Sequence, residues 1–100
     1  MEMTTRKLLT IVTEAAIEDT LVRELEQLGA RGYTITDARG KGSGGERDAT
    51  WGPHANIRIE VLCDVDTAQA ICAALRERYS DNYAMVMYVG DVDVLRPMKF

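Results

Sequence analysis

Cysteine, proline, histidine and aromatic residues are scarce in this 100-residue chain, which has two Cys, two Pro, one His, one Trp and one Phe. Cys63 and Cys72 have no second Cys or His at the short spacing of a zinc-ligand pair. They read as packing thiols, with a redox role as the alternative. Positive charge is also in deficit, with 12 Lys and Arg against 16 Asp and Glu and a net charge of −4. A nucleic-acid surface clusters Lys and Arg on one face, so this balance argues against such a partner. No apolar run approaches the roughly 20 residues that cross a bilayer. The stretch from Met1 to Arg6 lacks the charged-then-apolar order of a secretion signal, so a cytoplasmic location is expected.

What is present is a strong alternation of periods. Lys7 to Glu14 is rich in Leu, Ile, Val and Thr and predicts a strand buried on both faces. From Ala15 the spacing lengthens: Ile17, Leu21, Leu25 and Leu28 form an apolar helical stripe opposite Glu18, Asp19, Arg23, Glu24 and Glu26. Gly29 supplies the stop. Tyr33 to Ala38 and Ile57 to Cys63 predict two further strands, the latter with Ile57, Ile59, Val61 and Cys63 on one face and Arg58 and Glu60 on the other. A second helix is predicted from an N-cap at Asp66, with Gln69 three residues later and Ala68, Ile71, Cys72, Leu75 and Tyr79 as its stripe, ending near Ser80. Ala84 to Val89 predicts a last long strand, broken at Gly90 before a short Val92 to Leu95 segment.

The resulting order, β-α-β-β-α-β, is that of an α+β ferredoxin-like fold: a four-stranded antiparallel sheet with both helices on one face. Residues 1–100 suffice for a single domain. A chain this short buries only about two thirds of its unfolded surface, which favours association. In the first and last strands Leu8, Val12, Met85 and Met87 alternate with Leu9, Ile11, Val86 and Val89, so both sheet faces are apolar. The face without helices needs a cover, and a further copy of the chain is the expected one.

Between the middle strands lies a long connection, about residues 40–55, expected to be flexible. Five of the eight glycines fall between Gly40 and Gly52, interleaved with Lys41, Ser43 and Arg47 and preceded by Arg39. Glycine lets backbone N–H groups approach a phosphate, and the cations supply charge. Gly40-Lys41-Gly42-Ser43-Gly44-Gly45 formally fits GxGxxG, but no long helix follows it, and it lacks the Lys-Ser/Thr pair of a phosphate loop. A plain linker is the other reading; Trp51, His54 and Asn56 in or beside it weigh against that.

Several segments taken in order resemble the PII-like signalling proteins: Leu8-Leu9-Thr10-Ile11-Val12-Thr13-Glu14, Gly29-Ala30-Arg31-Gly32-Tyr33-Thr34-Ile35, Gly40-Lys41-Gly42-Ser43, Ala55-Asn56-Ile57-Arg58-Ile59-Glu60 and Tyr79-Ser80-Asp81-Asn82-Tyr83-Ala84. The carboxysome-associated and bicarbonate-transporter-associated branches are the most similar. The resemblance implies a homotrimer that binds an adenine nucleotide (AMP, ADP or cyclic AMP) in clefts between subunits. It implies bicarbonate as a second ligand and signalling through the long loop in inorganic-carbon metabolism, without enzymatic turnover. A bicarbonate transporter or carboxysome-linked protein is the implied partner, with the corresponding association in the cell.

By position, the resemblance places Gly32, Tyr33 and Thr34, and Gly40, Lys41, Gly42 and Ser43, in the nucleotide cradle, with Arg47 on the phosphates. Gly90 and Asp91 take the place of a second nucleotide loop, Glu60, Val61 and Leu62 that of the strand edge at the base, and Tyr33 and Tyr88 are candidates to stack on it. Gly90-Asp91-Val92-Asp93 departs from the glycine-rich, lysine-bearing loop of nitrogen-sensing members, and its carboxylates are expected to disfavour a triphosphate. The loop has no tyrosine, so uridylylation is not expected. The sequence stops at Phe100 without a cysteine-flanked tail, which favours the carboxysome-associated branch. Two alternatives remain open: an acyl-phosphate hydrolase on the same fold, with His54 and Asn56 as a pair, and a metal-responsive trimer using His54 and Cys63.

Overall fold

The computed structural model describes residues 2–42, 45–47 and 55–95, the middle stretch for its backbone alone. Strand β1 (Thr4–Glu14) leads through a single 3-10 turn (Ala15–Ile17) into helix α1 (Glu18–Gln27). Then come β2 (Thr34–Ala38), a small hairpin of β3 (Gly40–Gly42) and β4 (Gly45–Arg47), β5 (Asn56–Cys63), helix α2 (Val65–Arg78) and β6 (Val86–Val94). The main sheet has the order β2-β5-β1-β6 and every pairing is antiparallel. This is the expected ferredoxin-like arrangement.

The core lies between sheet and helices. Leu9, Ile11, Ile57, Ile59, Val61 and Cys63 point from the sheet into Ile17, Leu21 and Leu25 before and along α1, and Ala68, Ile71 and Leu75 of α2, all buried. Each such aliphatic side chain contributes about 1.5–3 kcal/mol through lost contact with water. The strict alternation in β5 holds as expected: Arg58 and Glu60 point away from the core. Gly29 has φ of +100°, the left-handed conformation a glycine adopts without strain. Its amide and that of Ala30 donate to the carbonyls of Glu26 and Leu25, closing α1 with two reversed bonds.

Four sequence expectations are corrected. The cap of α2 is Asp64, not Asp66: Asp64 Oδ1 accepts from the Thr67 amide at 2.8 Å. Asp66 lies in the first turn, where a carboxylate favours the helix dipole without capping it. Gly90 does not break the last strand, because its φ is not positive and it pairs with Leu8 within the ladder. Met87 is registered with Ile11, and Met85 and Met87 pack on the core, so they sit on the helix-covered face rather than with Leu8 and Val12. The long connection does not begin as loop, since Gly40, Lys41 and Gly42 pair with Arg47, Glu46 and Gly45.

Asp64 yields a pH-dependent expectation. The Thr67 amide holds its carboxyl below the usual 3.8, with the Arg6 and Arg31 charges adding to the effect. A depressed folded value means the stabilisation is present above 3.8 and fades as pH falls through the folded value. Asp64→Ala is expected to lower the melting temperature by a few degrees at neutral pH. That deficit shrinks in strong acid; a pH series of thermal melts checks both parts.

The helix layer is clamped by Glu24, whose carboxylate accepts from Arg78 Nη1 and from the Tyr79 hydroxyl. The Tyr79 ring lies 6.4 Å from that of Tyr83. The turn into β6 is tied to the end of β1: Thr13 Oγ1 donates to the Ala84 carbonyl and the Ala84 amide donates to Glu14. No helix among the described residues is long and apolar enough to cross a membrane.

Candidate functional site

The sheet face away from the helices carries the candidate site, and strand register sets its layout. One row crosses all four strands as Thr34, Glu60, Thr10 and Tyr88. The row towards the α2 N-terminus is Leu62, Leu8 and Gly90; the row on the other side is Thr36, Arg58, Val12 and Val86. Val86 is 49% exposed and Tyr88 55%, while Leu8, Val12 and Leu62 are half-buried. The result is an apolar surface with polar residues at the β2 and β5 side.

The nucleotide candidates fall into three groups on one protomer. Gly32, Tyr33 and Thr34 lie at the start of β2, with Tyr33 40% exposed. Beside them, β2–β5 pairing ends at Thr34 and Glu60. Val61 and Leu62 therefore continue with backbone paired to β1 on one side only among the described ladders, which fits the expected strand edge. Val61 offers only its backbone, because its side chain is buried in the core, whereas Leu62 turns a half-buried side chain to the open face. Gly40, Lys41 and Gly42 form the second group beyond the far end of β2, with Gly40 about 20 Å along the chain from Thr34 at 3.3 Å per residue. Tyr88 and Gly90 on the open face of β6, with Asp91 registered to Lys7 on its other face, form the third. Ser43, Trp51, His54 and the side chain of Arg47 lie outside the described residues.

Asp91 requires a further correction. It sits within β6, not in a loop, and Lys7 Nζ donates to its Oδ1 at 2.6 Å. Asp93 accepts from Thr5 Oγ1 at 3.0 Å. The Lys7 charge offsets that of Asp91, whereas the neutral Thr5 hydroxyl leaves the charge of Asp93 in place, so the argument for repelling a triphosphate is weakened for Asp91 alone.

At the base of the long connection the open face sinks into a recess of ≈ 560 Å³ lined by Val12, Thr36, Asp37, Ala38, Arg39, Gly40, Lys41 and Arg58. Three cations and one carboxylate meet there in a chain of negative net charge. Gly40 and Lys41 were expected; Arg58 was read only as the outward side of a strand. Cys63 and Cys72 do not contribute, and burial pushes both thiols above their ordinary range, as suits packing residues. Among the described residues no cluster of His, Cys, Asp and Glu could hold a metal ion.

The chain matches the sequence model of the nitrogen regulatory protein P-II family over residues 6–99. It belongs to that family. A PII-like signaling protein from Thermus thermophilus is 44% identical over 100% of this chain and 99% of its own, with a TM-score of 0.86. CPII from Thiomonas intermedia, a nitrogen regulatory PII-like protein whose structure holds ADP, AMP and bicarbonate, is 26% identical over 99% of this chain and 96% of its own, with a TM-score of 0.88. Bacillus subtilis GlnK in complex with ATP shares the fold at 16% identity over 88% of this chain and 82% of its own, with a TM-score of 0.66. PII proteins are signalling proteins, and their homologues are trimeric.

Proposed function

We propose that this PII protein is a homotrimeric sensor that binds ADP or AMP, with cyclic AMP as a further candidate, in clefts where neighbouring subunits meet. Bicarbonate is its second ligand. The connection between β2 and β5 is the element that responds, presenting or withdrawing a surface for a partner in inorganic-carbon metabolism, such as a bicarbonate transporter or a carboxysome-linked protein. A ligand moves that element only as far as its affinity differs between the two arrangements.

The observation that carries this reading is the cation-lined recess at the base of the connection, opening onto an apolar sheet face. A single protomer leaves the three groups of candidate residues spread along the sheet. A second protomer across that face would bring one group against another, which accounts for a nucleotide site between subunits. The ADP, AMP and bicarbonate held by CPII support the ligand classes.

Glycine supplies the test. A Cβ built on Gly32 or Gly40 meets nothing within 4 Å, and neither φ is positive. Nothing inside the described chain therefore requires glycine at either position, whereas a ligand or neighbouring subunit at close approach would. Gly40→Ala is expected to melt at the wild-type temperature or slightly above, since the unfolded chain loses freedom worth about 0.4–1 kcal/mol. Its ADP affinity is expected to fall at least tenfold by calorimetry. Wild-type protein that gives no binding heat with ADP or AMP, with or without bicarbonate, defeats the proposed function.

A further inference from the structure

The ladder between β1 and β6 ends at Val12 with Val86, one hydrogen-bonded pair short of what its register allows. Its partners run Leu8 with Gly90, Thr10 with Tyr88 and Val12 with Val86, so the next such pair is Glu14 with Ala84. Ala15 donates to the Ala55 carbonyl at 2.8 Å, which assigns the odd-numbered residues of β1 to β5. In an antiparallel strand the bonding direction alternates residue by residue, so the amide and carbonyl of Glu14 point towards β6.

Side chains stand in for that rung. The Ala84 amide donates to Glu14 Oε2 at 2.9 Å, and the fully buried Thr13 donates through Oγ1 to the Ala84 carbonyl at 3.0 Å. The carboxylate thus accepts where the Glu14 carbonyl would accept, and the hydroxyl donates where the Glu14 amide would donate. The local backbone suits closure. Glu14 is extended, with φ of −73° and ψ of 135°. Tyr83, Met85 and Met87 pack on the core while Ala84 and Val86 are exposed, so the alternation of β6 already runs back through Ala84. No side chain has to change face.

We infer that β1 and β6 hold this rung in reserve, and that closing it, with release of the Glu14 carboxylate, is a conformational step that rearranges the connection between β2 and β5. Position supplies the link. Ala38, Asn56 and Glu14 form one cross-strand row, so the end of β2 that the connection leaves and the start of β5 that it enters both lie beside this junction. Ala15 also holds Ala55, the residue before β5. On the other side the turn is anchored to α2, because the Asn82 and Tyr83 amides donate to the Tyr79 carbonyl. Closure draws Ala84 towards β1, and the displacement falls on a strand end that carries the connection on its other edge. Two bonds are exchanged for two. One of the present pair ends on a carboxylate, and charge-assisted bonds are the stronger class, which accounts for the side-chain arrangement in the structure. The step lies within one protomer and does not depend on the nucleotide reading.

NMR on the full-length protein reads the rung directly, through the coupling across the hydrogen bond from the residue-14 amide to the Ala84 carbonyl and through amide exchange. Wild type is compared with Glu14→Ala, Glu14→Gln and Thr13→Val. Glu14→Ala removes the competing carboxylate and keeps the backbone. The coupling is expected to appear in it, with protection of the residue-14 amide raised about tenfold, the worth of one net hydrogen bond. Glu14→Gln keeps an acceptor oxygen and is expected to stay open, as in wild type. Thr13→Val removes the competing donor at nearly constant shape and is expected to close the rung in part, which keeps the test decisive if Glu14→Ala fails to fold. Protection at Gly40 to Gly42, the first paired residues of the connection, is expected to change about threefold or more wherever the rung closes.

A merely bracing role for Glu14 predicts the opposite pattern: faster exchange at Ala84 and no new bond at residue 14. That result in the variants that fold overturns the inference, as does a coupling already at full strength in wild type. A closed rung that leaves Gly40 to Gly42 at wild-type protection overturns it too, because the junction would then be silent towards the connection. Closure together with altered protection at Gly40 to Gly42, both missing from Glu14→Gln, is the result that supports it.

Discussion

Val86→Asp together with Tyr88→Asp is expected to leave a folded protein that elutes at one third of the wild-type assembled mass and binds no ADP. Both positions lie on the outermost strand, about half exposed in the isolated chain, so neither carboxylate displaces a core side chain. Monomer folding should therefore tolerate them. The trimeric homologues point to a covered sheet face, and there the same carboxylates would be buried beside Leu8, Val12 and Leu62. Removing an ionised group from water without a partner costs several kcal/mol per ion, and threefold symmetry repeats that cost in every protomer. Val86→Leu keeps the apolar surface and should assemble normally. Light scattering after size exclusion, with calorimetry for ADP, reads both consequences; an unchanged mass with unchanged binding would show that this face is not where the copies meet.

Ile59→Ala should have the largest effect on folding itself. Ile59 is fully buried at the centre of the sheet, registered between Ile11 and Ile35 on the helix-covered face. Truncation there removes apolar contact and leaves a cavity that helices and sheet cannot collapse without losing other packing, a cost of about 2–5 kcal/mol. Against a typical total of roughly 5–15 kcal/mol, this lowers the denaturant midpoint substantially. Ile59→Val, which removes one methylene, should cost about 0.5–1.5 kcal/mol. Association and ligand binding both stabilise the native state, so the three proteins must be unfolded at one protein concentration without nucleotide.

Much of the fold is written in short-range pattern. The alternation Ile57, Ile59, Val61, Cys63 declared a strand and its core face, and all four prove buried. Leu21 and Leu25 declared the inner side of α1, and Gly29 its end, where the positive φ and the two closing bonds now show why glycine stands there. The errors have local physical causes as well. Asp66 and Gln69 match a capping pattern, but Asp64 stands at the point where the chain turns from β5 into the helix and reaches the Thr67 amide first. Gly90 resembles a break because glycine often marks one, yet a glycine inside a ladder keeps both its backbone bonding groups, and β1 pairs with it.

The candidate site was legible only in pieces. Gly32 to Thr34 and Gly40 to Gly42 could be named from the resemblance and their composition, whereas Arg58 looked like an ordinary outward-facing strand residue. By itself, the sequence determined the periods, the ends of most elements, the family and the need to cover a second apolar face, because each of these depends on residues near one another in the chain. Only the tertiary structure decided that Thr34, Glu60, Thr10 and Tyr88 share a row, that Lys7 engages Asp91, and that Arg58 and Lys41 line one recess. Those meetings follow from strand order and register, and pairing between distant strands is settled by packing the whole sheet against its helices, which no local spacing encodes.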